Sequence, residues 1–154
     1  MIHLLVVDDD YSIRAIMQEA FNEEKYDVKV CESGESALKL INKKSFDLVI
    51  TDLMMEGMSG LELMEKARKT HENLGFLIIT AYGTIKTAVD ALHNGAFDFI
   101  TKPFSISHIK SRVDRFMEYK GLKEENQKLK RKLSFDKKYN KLVGKSPGMQ
   151  MIFN

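Results

Sequence analysis

Short apolar runs, rich in β-branched and aromatic residues, recur at 2–7, 26–31, 46–51, 76–80 and 97–101. Between them, apolar residues fall at helical spacing. Ser12 is suited to cap a helix that carries Ile13, Ile16, Met17, Ala20 and Phe21. Residues 33–36 open a second helix with Ala37, Leu38 and Ile41. Leu61, Met64 and Ala67 share one face of 59–69, and Ile85, Ala88, Val89 and Leu92 share one face of 84–94, where Gly95 stops the helix. Ser105 opens a last helix with Ile106, Ile109, Val113 and Phe116. Residues 48–51 form an apolar run that ends on Asp52 and a loop, as suits a strand buried on both faces. The strict strand–helix alternation predicts an α/β fold: a doubly wound, five-stranded parallel sheet with right-handed crossovers and helices on both faces.

The last helix has no break at Phe116, but its apolar seam shifts there. Ile109, Val113 and Phe116 would face the sheet. Tyr119, Leu122, Asn126, Leu129 and Leu133 then follow at spacings of three, four, three and four. This a/d pattern, with charged residues around it, predicts a coiled-coil extension that joins two chains through residues 106–133. An Asn at an a position favours two strands in one register. Gly121 weakens the seam and so short a coil is marginal by itself, so a solvated single-chain linker is the alternative. Beyond Ser134 the pattern ends. Residues 136–141 read as a polar connector, and 142–154 as a new start with Ser146 and Pro147 placed to begin a helix. The expected partition is a globular domain at 1–118, a helical dimerisation linker at 119–140 and the truncated start of another domain at 141–154. The chain then reads as the front part of a longer protein.

A chain of 154 residues, 44% hydrophobic and 30% charged, is expected to build one domain with a real core and an appendage. No apolar run approaches the ~20 residues of a membrane span. Asp8 comes too early for a secretory signal. The single cysteine, Cys31, permits no internal disulfide and fits a reducing cytoplasm. It ends an alternation with Val28 and Val30, so it reads as a buried small hydrophobe rather than a reactive thiol. The net charge of +2 hides an asymmetry: residues 1–118 carry −5 and 119–154 carry +7. The basic tail rides on a helical pattern and is read as a solvated helix surface rather than a nucleic-acid arm.

Three predicted strand ends carry acids or hydroxyls: Asp8 and Asp9 after the first, Asp52 after the third, Thr80 at the fourth. Lys102 follows the fifth. In a doubly wound sheet these ends meet at one edge, beside the topological switch point. Carboxylates converging there repel one another unless a cation sits between them, and Mg²⁺ suits such oxygen ligands. A carboxylate kept ionised can attack an electrophile. A hydroxyl and a fixed positive charge beside it match the oxygens of a phosphoryl group. His3, His71, His93 and His108 all lie away from these strand ends, so no general base is poised for water.

In these residues the chain resembles the receiver family of bacterial two-component response regulators, of the NtrC type that activates sigma-54 transcription. The resemblance covers residues 1 to about 118. Residues 4–9 match the family's acidic doublet, Asp52 its phosphorylated aspartate, with Met55 and Gly60 at the expected offsets, Thr80-Ala81 its switch hydroxyl and small neighbour, and residues 95–104 its last signature. The resemblance implies a flavodoxin-like fold. It implies that Asp9, Asp52 and the backbone carbonyl of Met54 bind Mg²⁺, with Asp8 acting through water. Asp52 would accept a phosphoryl group from a phosphohistidine on a sensor histidine kinase, while Thr80 and Lys102 hold the phosphoryl oxygens. Phe99 would be the switch aromatic, and the Lys102–Pro103 bond would be cis. Bulky Met54 and Tyr82, each two residues past a site residue, would slow self-dephosphorylation.

The tail at 142–153 resembles the opening of an AAA+ ATPase domain. A Gly-rich phosphate loop and a helix-turn-helix are both missing, so neither ATP hydrolysis nor specific DNA binding is expected of these residues. In the full-length protein the resemblance implies sigma-54 RNA polymerase and DNA as partners. The chain is thus expected to be a cytoplasmic, homodimeric phosphoacceptor with no turnover of its own. One alternative is a constitutive dimerisation module with a vestigial acidic site. Another, a phosphatase, lacks the second acid such enzymes place two residues after the nucleophile, where Met54 stands. Glu56 departs from the family's usual Pro; it reads either as a solvated loop acid or as a residue that loosens the loop, adds negative charge near the acidic site and so alters loop mobility and metal affinity.

Overall fold

The computed structural model describes the backbone at residues 1–81 and 85–142 and the side chains there up to residue 133. Strands β1 (Ile2–Val7), β2 (Tyr26–Cys31), β3 (Leu48–Asp52), β4 (Gly75–Thr80) and β5 (Asp98–Thr101) alternate with helices α1 (Tyr11–Ala20), α2 (Gly34–Lys43), α3 (Gly60–Arg68), α4 (Ile85–His93) and α5 (Ile106–Leu142). The strands form one parallel sheet in the order β2-β1-β3-β4-β5. The chain runs outward from β1 to β2, then returns to β3 on the other side of β1. That reversal is the topological switch point. The doubly wound five-stranded fold read from the pattern is the observed one.

Every residue of β3 and β4 is buried, whereas the edge strands β2 and β5 are only partly covered. Central strands of a parallel sheet are covered on both faces, which explains their unbroken apolar runs. Leu5, Val7, Val49, Phe76 and Ile78 pack in one cluster with Ala37 and Ile41 of α2, Leu63, Met64 and Ala67 of α3, and Ala91 of α4. The alternate positions Leu4, Val6, Leu48, Ile50 and Leu77 point the other way and are equally buried, as are Met17 of α1 and Ile109, Val113 and Phe116 of α5. Each such side chain contributes about 1.5–3 kcal/mol. The Phe116 ring meets Phe97 edge-on at 5.2 Å and lies against Gly75, where any Cβ would strike it.

Several boundaries differ from the sequence expectation. Asp10, not Ser12, caps α1: its carboxylate accepts the Ser12 N–H at 2.8 Å. A charged acceptor two residues upstream outcompetes a hydroxyl. Asp52 belongs to β3 because its backbone still pairs with Ile79. Helix α5 continues through residues 136–141, expected as a connector; that stretch holds no Gly or Pro. Tyr82, Thr84 and residues 143–154, including the expected new helix start, lie outside the described residues. Residues 1–116 form one compact unit, and a second begins at Met117. Within the second, Tyr119, Leu122, Leu129 and Leu133 are exposed.

Candidate functional site

Register builds the site. Val7 of β1 pairs with Thr51 of β3, so the next residues, Asp8 and Asp52, emerge side by side at the carboxyl edge. Asp9 follows directly. One carboxylate oxygen from each of Asp8, Asp9 and Asp52 lies within 4.8 Å of the others. Asp8 is 2% exposed and Asp52 7%, while Asp9 opens to solvent. Lys102, just past β5, reaches across to both buried acids, with Nζ 3.2 Å from Asp52 Oδ2 and 3.4 Å from Asp8 Oδ2.

The pocket is electrostatically loaded. Burial raises the Asp8 carboxyl above its ordinary value; the Asp10 N–H, donating at 2.9 Å, pulls the other way, and the Asp52 charge adds to the rise. Burial disfavours the charged form of Lys102, but Asp52 and Asp8 together outweigh it and lift the ammonium above its usual range. Lys102 therefore faces two buried acids, with Asp9 beside them at the rim. The donor set, three carboxylates that reach one point at the pocket mouth, fits a hard divalent ion.

Thr80 ends β4 and is buried, and its carbonyl accepts the Lys102 N–H at 2.8 Å. Phe99 of β5 is half-buried and packs against the core cluster. Met54 is 61% exposed, and its N–H lies 3.4 Å from Asp52 Oδ1. Glu56 is exposed. The Lys102–Pro103 peptide is cis. His3 sits at the opposite, amino end of β1, paired with Asp27. Cys31 is half-buried, and burial pushes its thiol up to about 11, as suits an inert side chain.

Supporting groups escaped the sequence reading. Arg14, from inside α1, donates to the Asp8 carbonyl at 2.8 Å. Thr51 Oγ1, fully buried, donates to the Asp52 carbonyl at 3.0 Å. Gly60 sits so close beneath that same carbonyl that a Cβ would collide with it. Glu35, in the first turn of α2, accepts the Met58 N–H at 3.1 Å. Of these, only Gly60 had a signal, its offset from Asp52; the others depend on which elements become neighbours.

Residues 4–114 match the response regulator receiver domain. Sporulation initiation phosphotransferase F of Bacillus subtilis is 34% identical over 118 residues, covering 77% of this chain and 95% of that protein. The DNA-binding transcriptional regulator NtrC of Klebsiella pneumoniae is 32% identical over 148 residues, 96% of this chain but 31% of NtrC. The chain thus spans about a third of the length of such longer relatives. Among solved structures, NtrX from Brucella abortus in complex with ADP superposes with a TM-score of 0.78 at 34% identity, over 84% of this chain and 30% of that one. The receiver domain of Francisella response regulator 1452 gives 0.73 at 32%, over 77% and 98%.

Proposed function

The chain belongs to the response regulator receiver family, and on that premise we propose that Asp52 accepts a phosphoryl group from the phosphohistidine of a sensor histidine kinase. An Asp52 carboxylate oxygen attacks phosphorus, the P–N bond breaks, and the electron pair leaves with the imidazole. The product is an acyl phosphate. The observation that carries this reading is the convergence of Asp8, Asp9 and Asp52 with Lys102 at the switch point. Receiver domains bind Mg²⁺ at an acidic pocket. Here Asp9, Asp52 and the Met54 carbonyl would hold it, with Asp8 acting through water. When bound, the ion supplies positive charge that offsets the crowded carboxylates and the phosphoryl oxygens. Lys102 would give a second positive charge and Thr80 a hydroxyl donor to the same oxygens.

The switch reading extends this. Thr80 moves toward the phosphoryl group, Phe99 turns inward, and the surface of α4, β5 and the start of α5 is remodelled. In this reading residues 1–118 are the receiver, 119–140 a dimerisation linker and 141–154 the start of an AAA+ domain. The exposed seam of Tyr119, Leu122, Leu129 and Leu133 supports pairing of two copies through residues 106–133. In a longer cytoplasmic protein, a changed dimer arrangement would control a sigma-54-dependent ATPase acting at RNA polymerase and DNA. No helix among the described residues is long and apolar enough to cross a membrane.

The test is solution mass and phosphate incorporation with Mg²⁺ and a small phosphodonor, or beryllofluoride as mimic. The native chain takes up about one phosphate and changes its dimer arrangement; Asp52→Asn does neither. An Asp52→Asn chain that rearranged equally would favour a constitutive dimerisation module with a vestigial pocket.

A further inference from the structure

The loop between β3 and α3 runs from Leu53 to Ser59 and is closed at its base by the Gly60 N–H donating to the Leu53 carbonyl at 2.9 Å. Its outer half touches α2. Glu35 Oε1 accepts the Met58 N–H at 3.1 Å. The Met58 side chain, 8% exposed, lies against Gly34, where a Cβ would come within 2.9 Å of Met58 Cβ. Gly57 turns with φ +81°, and a side chain there would meet Glu35 Oε1 at 3.0 Å. A left-handed turn of this kind is open to glycine and holds no shape by itself. Met54 lies between the closed base and this outer contact, and its exposed side chain gives it little packing of its own.

We propose that Glu35 is a positioning residue: from the first turn of α2 it braces the β3–α3 loop and so sets the affinity of the acidic pocket for a divalent cation. The inference rests on the reading of that pocket above. Stiffness that a rigid residue at position 56 would supply from within the loop comes here from a carboxylate outside it. Its own N–H and that of Met58 hold the Glu35 carboxyl below its usual range, so it stays an ionised acceptor at neutral pH. Charge on the acceptor strengthens the bond. Outer partners that orient ligands commonly change metal affinity by about ten- to a hundredfold.

The experiment is calorimetric titration of the unphosphorylated full chain with Mg²⁺, paired with thermal melting. Glu35→Ala is expected to weaken Mg²⁺ binding about tenfold. Glu35→Gln, which keeps an oxygen acceptor for Met58, should restore affinity to within about threefold. Equal Mg²⁺ affinity in native and Glu35→Ala chains overturns the inference, whatever their melting points. So does a Glu35→Gln chain as weak as Glu35→Ala, because an oxygen that accepts the Met58 N–H would then not be what sets the affinity. If the native chain itself binds no Mg²⁺, the reading of the pocket fails first. Should Glu35→Ala fail to fold, the comparison of native chain with Glu35→Asp decides, since the shorter acid cannot span to Met58. Asp should weaken binding several-fold, and unchanged binding would sink the proposal.

Discussion

At the scale of single residues, Asp8 carries the clearest pH signature. A carboxyl whose folded pKa lies above its ordinary 3.8 binds its proton more tightly in the folded state. It therefore favours folding at low pH, and that contribution is lost as pH rises through the raised value. At neutral pH the ionised Asp8 carboxylate weighs against the metal-free fold. Mg²⁺ should reverse this, stabilising the chain by about 2.7 kcal/mol at a hundred times its dissociation constant. The rise in thermal midpoint on adding Mg²⁺ should be full at about pH 7.5 and shrink as the pH is lowered through the raised value of Asp8, whose protonation removes charge from the pocket. Scanning calorimetry across that range checks it. Lys102→Ala removes the ammonium shared by Asp8 and Asp52. Phosphorylation by a small donor should slow about a hundredfold, comparable to losing one preorganised donor to a developing charge. Met54→Ala should shorten the lifetime of the phosphorylated chain, measured by loss of label.

At the scale of elements, glycines mark where backbone must approach backbone. Gly60→Ala drives a Cβ into the Asp52 carbonyl. The loop must shift, with an expected cost of about 2 kcal/mol in urea unfolding. Gly95 ends α4 at φ +101° beside the Arg68 guanidinium, which donates to its carbonyl. Gly95→Ala should cost about 1–2 kcal/mol from the left-handed conformation. These elements were largely legible beforehand. Periods of apolar residues gave all five strands, and their ends gave Asp8, Asp52, Thr80 and Lys102. What periodicity could not reveal was lateral. Arg14 reaching back to the Asp8 carbonyl, Thr51 behind Asp52, and Glu35 under Met58 are contacts between elements distant in sequence. Each looks, in the sequence alone, like an ordinary surface or strand residue. The cap of α1 was misplaced for a related reason: Ser12 and Asp10 are both good caps, and only the backbone path after β1 chooses between them.

At the scale of the whole molecule, the acidic unit of residues 1–116 and the exposed seam beyond it are separable in experiment. Replacing Leu122 and Leu129 with Glu should lower the solution mass toward one chain while leaving Mg²⁺ binding unchanged, as sedimentation and calorimetry would register.

Lys102 stands 94 residues after Asp8 and 50 after Asp52 along the chain. During synthesis the acids emerge long before their counter-charge. A nascent polypeptide that has not yet received its fifth strand presents carboxylates with no lysine opposite them. Translation order thus keeps the two acids apart from the ammonium they share until the fifth strand has been made.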